Sequence, residues 1–447
     1  MVTPYTLRKD EVEYELGSVA DSAGRILYWN DRVFREVRDA DSWSIYAKIL
    51  KSKICSRLVA GGMVETWIPH DVHLEGSAGL LEHKKIDYVT CPAEWTPRML
   101  WDAARCYGLC GAALAEEHLV FKDCHPWNIL FDFCQPALID FGSIVRESSP
   151  SSWIEGLRVF FVLPLWLRKV GRDFGRAVAR EMMREHIHGI GYMLVRTRPA
   201  SYLPPTFYRL ARLYQYAIRS NDRSTLGSFF TRLQEYIDTL EPVAPKEEWA
   251  DYPQQHETAT PQLREKQRTV LDILKSLGLK TLLDIGANKG WYAFEAAALG
   301  YKVVAFDREE HCVDLMYLRG QAEDSRVLPL HMDFLYPTPQ SGVALALKTS
   351  FDRLNSDVSL VLGLVHHLAL RQGVGFAQIA EIVSRYTRRV AIIEFVPPED
   401  EHIRNWHIPS HYTKRNLVKA MARRGLFLQA ERQLRIGRSI LVFARNP

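Results

Sequence analysis

Apolar and polar positions change period along this chain. In REKQRTVLDILKSLGL, Val270, Ile273, Leu274 and Leu277 recur at helical spacing and Gly278 closes the run, which predicts a helix. The apolar run KTLLDIGA follows as a buried strand. Four further apolar runs, KVVAFD, VLPLHMDF, DVSLVLGLVHHL and RVAIIEF, alternate with helical patterns, and SILVFAR closes the chain. Such alternation predicts an α/β Rossmann-like, doubly wound sheet. Upstream the pattern differs. Up to about residue 95, short strand-like runs (GRILYWN, MVETWI) mix with charged turns, and GRILYWNDRVFREV reads as a hairpin. An amphipathic helix runs from Met99 to His118, and beyond Gly142 the pattern is helical to about Leu240. This predicts an α+β amino-terminal domain, a small mixed lobe followed by a helical one.

The stretch EPVAPKEEWADYPQQHETATPQ, residues 241–262, holds many charges and almost no aliphatics, so it reads as an exposed linker. The expected domains are therefore 1–240 and 263–447. A length of 447 residues agrees with two or three cores. Hydrophobic content of 47% and charged content of 25% are those of a soluble globular chain, and a net charge of +4 is too weak to imply general nucleic-acid binding. The start, MVTPYTLRKDEVEYEL, reads as no secretory signal. LRVFFVLPLWL, broken by Pro164, is too short to span a bilayer and reads as a buried helix. Seven scattered cysteines without a CxxC pair signal no zinc ribbon and fit a reducing cytoplasm.

In LLDIGANKG a strand ends at Asp284 and a helix is expected to begin near Lys289. Gly286 and Gly290 let the backbone approach a ligand, and Asn288 tolerates the left-handed conformation. Asp307 closes the second strand, where a carboxylate can grip ribose hydroxyls. Asp333 and Phe334, after the third, suit an adenine amine and ring face. Acidic residues closing three successive strands describe one ligand wrapped across a switch point. This half resembles a class I S-adenosylmethionine-dependent methyltransferase, with SILVFAR as the antiparallel strand that family adds. An NAD-binding domain is the alternative, but DxGxNxG departs from the tighter dinucleotide fingerprint. His366 and His367 are candidate bases toward the methyl acceptor, since neutral imidazole removes protons near neutral pH. Glu394, His407 and Tyr412 are further pocket candidates. The basic residues from Lys414 to Arg438 form either a solvated face or a receiver for an anionic acceptor.

The first half holds FKDCHPWNILFDFCQPALIDFG. Phosphoryl transfer needs a carboxylate near the attacking hydroxyl and oxygen ligands for magnesium. Asp123 supplies the first, Asn128 and Asp140 the metal ligands. The stretch resembles the catalytic loop of aminoglycoside phosphotransferases and choline-kinase-like enzymes, which implies a protein-kinase-like domain using ATP and Mg2+. Phe121 departs from that pattern, no glycine-rich nucleotide loop precedes residue 95, and Lys48, Lys84 and Lys85 are unassigned candidates for a phosphate-binding lysine. The whole chain resembles bacterial kinase-like–methyltransferase fusions associated with glycans. It is similar, in reverse domain order, to the bifunctional kinase–methyltransferases that cap O-antigen chains. The resemblance implies a cytoplasmic methyltransferase acting on a glycan or small-molecule acceptor that the kinase-like module phosphorylates or positions. Two rival readings are an RNA methyltransferase and a non-catalytic nucleotide sensor.

Overall fold

The computed structural model describes residues 4–18, 21, 23–146, 152–171, 205–243, 261–434 and 437–445. Two compact units emerge: Met1–Val243 with Gln340–Leu347, and Ala244–Pro339 with Lys348–Pro447. Most of the expected linker lies outside the described residues.

The first unit begins with an antiparallel sheet of five strands, in the order Glu13–Tyr14, Gly24–Trp29, Arg32–Val37, Gly79–His83, Thr66–Trp67. The hairpin read from sequence is its centre, pairing Leu27 with Phe34. Both are fully buried beside Leu7, Val72, Leu74 and Leu80. Helix Ala40–Leu50 follows, opened by Asp39, whose carboxylate accepts from Ser42 N at 2.7 Å. The helical lobe is built on Pro97–Ala115, started by the Thr96 cap with Pro97 in the first turn. A Cβ on Gly111 would lie 2.2 Å from Phe230 Cε1, so that glycine lets helix Arg223–Asp238 pack close. The oily stretch forms helical turns from Ser152 to Lys169, and Trp153 sits among Tyr214, Phe229 and Phe230. Among the described residues no helix is long and apolar enough to cross a membrane.

The second unit is a seven-stranded sheet. Its strands are β1 (Thr281–Ile285), β2 (Lys302–Asp307), β3 (Val327–His331), β4 (Ser356–Val361), β5 (Thr387–Phe395), β6 (Leu426–Gln433) and β7 (Ser439–Arg445), in spatial order 3-2-1-4-5-7-6. β1 to β5 run parallel, while β7 lies antiparallel between β5 and β6. The longer helices are α1 (Pro261–Leu277), α2 (Trp291–Ala298), α3 (Glu310–Glu323), α4 (Phe376–Tyr386) and α5 (Lys414–Ala422). The sheet core, with Leu282, Val303, Val327, Val358 and Ile392, is closed to water, as continuous aliphatic runs require. The order reverses between β1 and β4, and such a switch point opens a crevice at the carboxyl ends of the strands.

Several boundaries differ from the sequence expectation: the helix expected from Met99 to His118 runs Pro97–Ala115, and β1 ends at Ile285 rather than Asp284. α1 begins at Pro261, inside the expected linker. α2 begins at Trp291 rather than near Lys289, because Gly290 at φ +75° still belongs to the turn. β3 ends at His331, leaving Asp333 and Phe334 on the following loop. β6 has no counterpart in the sequence reading, which placed it within a basic stretch.

Candidate functional site

The turn after β1 is a run of left-handed residues: Gly286 at φ +71°, Asn288 at +51° and Gly290 at +75°. A Cβ on Gly290 would lie 2.6 Å from Met316 Sδ, so glycine is required there twice over, by conformation and by space. Asn288 Oδ1 accepts from Lys289 N at 2.8 Å, the local bond that lets asparagine hold this conformation. Asp307, closing β2, braces the turn: its Oδ2 accepts from Asn288 N at 2.7 Å and its Oδ1 from Glu309 N at 2.9 Å. Met332 N donates to the Asp307 carbonyl at 2.9 Å, which ties in the loop carrying Asp333 and the buried Phe334. Asp333 Oδ1 accepts from Leu335 N at 2.8 Å.

Asp284 is 3% exposed, and its Oδ2 has no hydrogen-bond partner among the described residues. Burial, with the charge of Asp307 added, pushes its pKa up to about 7. A buried carboxyl oxygen without a donor, beside a turn built of positive-φ residues, is an unfilled demand for a cationic or hydrogen-bonding group. Leu364 reaches the same turn, its Cδ2 3.3 Å from where a Gly286 Cβ would stand, and so packs the loop after β4 against it.

That loop carries His366 and His367. Their rings are 4.1 Å apart, and each faces Trp406, at 6.1 and 5.6 Å. The Arg371 guanidinium lies 4.4 Å from the Trp406 ring centre. His366 is 6% exposed and its Nδ1 has no hydrogen-bond partner among the described residues. Burial, then the neighbouring His367, lowers His366 to about 3; burial, then Arg371, lowers His367 to about 4. Both rings are therefore neutral at pH 7, and both are weaker bases than free imidazole.

Glu394, at the end of β5, is fully buried between Lys266 Nζ at 2.6 Å and Arg438 Nη1 at 3.3 Å. Burial alone would raise its pKa, but Lys266 and Arg438 hold it below the usual carboxylate value. Arg438 also grips Asp400 with two bonds, of 2.7 and 3.0 Å. Arg438 thus belongs to a buried ion cluster and not to a solvated basic face. Lys414 does lie outside, paired with Glu431. Arg435 lies outside the described residues. Tyr412 is part of the core, stacked on Phe395 and donating to Val396 O at 2.9 Å, whereas His407 is exposed. Lys266, Asp400, Arg438 as a network member, and Trp406 had no local sequence signal.

In the first unit, Asp123, Asn128 and Asp140 converge. Asn128 Nδ2 donates to Asp123 Oδ1 at 2.9 Å and Ser143 Oγ donates to the same oxygen at 3.3 Å. Asp140 is held by Arg35, Nη2 to Oδ1 at 2.6 Å. Burial raises the Asp140 pKa while Arg35 pulls it back. Arg35 also bonds Asp21 Oδ2 at 2.8 Å, and Lys122 lies 3.5 Å from the other Asp21 oxygen. The three lysines considered from sequence are elsewhere, Lys48 on Glu117, Lys84 on Asp132 and Lys85 on Asp31. The cation beside Asp140 is an arginine. Among the described residues no group of three or more His, Cys, Asp or Glu side chains is disposed to hold a metal ion.

No known family profile matches the chain. It is 24% identical over 416 residues to the nodulation protein NoeA of Rhizobium meliloti (strain 1021), a similarity spanning 87% of this chain and 86% of that protein. Among solved structures it is similar to the N-methyltransferase NodS of Bradyrhizobium japonicum WM9 in complex with S-adenosyl-L-homocysteine, at 14% identity and TM-score 0.34, over 45% of this chain and 95% of that one. It is also similar to the magnesium protoporphyrin IX methyltransferase ChlM of Synechocystis PCC 6803 with bound S-adenosylmethionine, at 15% identity and TM-score 0.32, over 44% of this chain and 89% of that one.

Proposed function

We propose that this chain is an S-adenosylmethionine-dependent O-methyltransferase acting on a glycan or small metabolite, and that a kinase-like first unit positions the same acceptor. The observation that carries the reading is Asp284, a buried carboxyl with an unsatisfied oxygen at the glycine turn of the switch point. The donor, when bound, supplies a methyl carbon activated by a positively charged sulfur. Asp284 and the turn Gly286–Asn288–Gly290 would hold its polar end, Asp307 its ribose, and Asp333 with Phe334 its adenine. Asp307 does this while bracing the turn, since each carboxylate oxygen keeps a lone pair beyond its backbone bond. His366 accepts the proton of the acceptor hydroxyl at a ring nitrogen, and the burial that keeps it neutral also makes it a modest base. The aromatic cluster of His366, His367 and Trp406 offers ring faces that suit a sugar or another ring. Of the basic residues near the carboxyl end, Arg438 is tied inside while Arg415, Lys419, Arg423, Arg424 and Arg432 are exposed, so RNA stands as the alternative acceptor.

The resemblance that implies ATP and magnesium in the first unit meets residues that do not fit the metal, since Asp140 is already engaged by Arg35. No phosphoryl-transfer step is therefore derived. Titration of S-adenosylmethionine by calorimetry, followed by mass spectrometry of glycans and metabolites incubated with protein and donor, tests the reading. Binding with gain of a methyl group on an oxygen is expected. Failure of the wild-type protein to bind the donor would overturn it.

A further inference from the structure

The acidic site of the first unit carries its own cation. Arg35 is 5% exposed, with both terminal nitrogens committed, one to Asp140 and one to Asp21. The backbone is shaped to admit it. A Cβ on Gly142 would lie 2.2 Å from Arg35 Nη1, so the Asp-Phe-Gly turn needs its glycine because a guanidinium lies against it. Tyr46 fastens that turn from the other lobe, donating to Gly142 O at 2.9 Å. Asp21 joins Arg35 to Lys122, and Asp123 is occupied by Asn128 and Ser143. Asn128 presents its amide N–H to Asp123, so its donor side faces the acid.

We propose that Arg35 is the resident cation of this site, filling the place at Asp140 that a divalent metal takes in a phosphotransferase, so that the first unit works without magnesium. The inference rests on the kinase-like reading of Asp123, Asn128 and Asp140 and departs from what that resemblance implies. A metal at Asp140 Oδ1 would have to break the ion pair with the buried Arg35 and leave a guanidinium without its counter-ion, which costs more than parting a surface pair. The planar fork of arginine suits two carboxylates at once, as lysine would not.

Manganese is the probe. Electron paramagnetic resonance reads free Mn2+ added to the full chain, as wild type, Asp140→Asn and Arg35→Gln. Wild type and Asp140→Asn should leave the free signal alike, and Arg35→Gln, with Asp140 released, should gain binding that Arg35→Gln/Asp140→Asn loses. Mn2+ bound by wild type and lost in Asp140→Asn would overturn the inference, as would a folded Arg35→Gln that binds none. Should Arg35→Gln fail to fold, the comparison of wild type with Asp140→Asn decides. ATP titrated with EDTA or with magnesium separates the two readings. Binding that requires magnesium keeps the kinase-like reading and overturns the inference. Equal binding in both supports both, and no ATP binding removes the kinase-like reading while the Mn2+ result still judges Arg35.

Discussion

Asp284 should make donor binding depend on pH in a way its removal abolishes. Its folded-state pKa of about 7 is well above the ordinary carboxylate value of about 3.9. A raised carboxyl pKa stabilises the donor-free fold fully below the unfolded value, and that contribution is lost as pH rises through about 7. A cationic donor demands the ionised form. Below pH 7 binding must therefore expel a proton, and affinity should rise by up to about tenfold per pH unit before levelling above about 7. Asp284→Asn keeps the shape and removes the charge. At pH 8 it should forfeit a charge-assisted hydrogen bond of about 1.5–3 kcal/mol, or roughly one to two decades of affinity. Calorimetry at pH 6 in two buffers of different ionisation enthalpy counts the proton directly, and ionisation of the free donor is common to both proteins and cancels. Wild-type binding with no more proton release than Asp284→Asn, and equal affinity at pH 8, would refute the placement of the donor at this carboxyl.

Other expectations follow from the same geometry. Arg438→Met leaves Asp400 without its two-pronged partner, and at about 3–5 kcal/mol for a broken buried pair it should lower the Tm of the second unit by roughly 6–20 °C. A loss under about 1 kcal/mol would mean that water screens the cluster. His366→Ala should leave donor affinity intact and slow methylation by roughly 10²-fold, the lower end for a proton acceptor. At saturating donor, wild-type kcat should show no fall near the ordinary imidazole pKa, since burial keeps both rings neutral down to about 4. A limb near pH 6.5 would contradict that burial. Gly290→Ala forces an alanine to φ +75° against Met316, and circular dichroism should record a destabilisation of about 1–3 kcal/mol.

The features legible in the sequence are local ones. The glycine turn, the five parallel strands and the trio Asp123, Asn128 and Asp140 each announce themselves within a short window, through apolar runs or fixed spacing. β6 did not, because Leu426–Gln433 is an edge strand with one buried position, so neither alternation nor an apolar run marks it. The ion clusters were hidden for a different reason. Lys266 lies 128 positions from Glu394, and Arg35 lies 105 from Asp140. Pairing at that range is set by topology, since α1 and β5 meet only once the sheet is wound. Lys48, Lys84 and Lys85 are each held by a carboxylate of their own, Glu117, Asp132 and Asp31. One clue to Arg35 was present: a charged residue inside RVFREV, close to the buried Phe34 and Val37, must face a partner or leave the strand.

The two units use the same residue vocabulary to opposite ends. The first unit gathers partly buried carboxylates and the second buried ones, and each sets arginine and lysine among them. In the first unit the accounts close internally. Asp140 has Arg35, Asp21 has Arg35 and Lys122, and Asp123 has Asn128 and Ser143. In the second, Glu394 and Asp400 are matched in the same way by Lys266 and Arg438. Asp284 is matched less fully: burial and the charge of Asp307 raise its pKa, against the weaker pull of Lys266 and a backbone bond from Ala293. Under the proposed function, the unpartnered Oδ2 of Asp284 is where a ligand from outside the chain would be met. The group that the proposed function brings there has a positive charge and hydrogen-bond donors, as the ammonium end of a sulfonium methyl donor does.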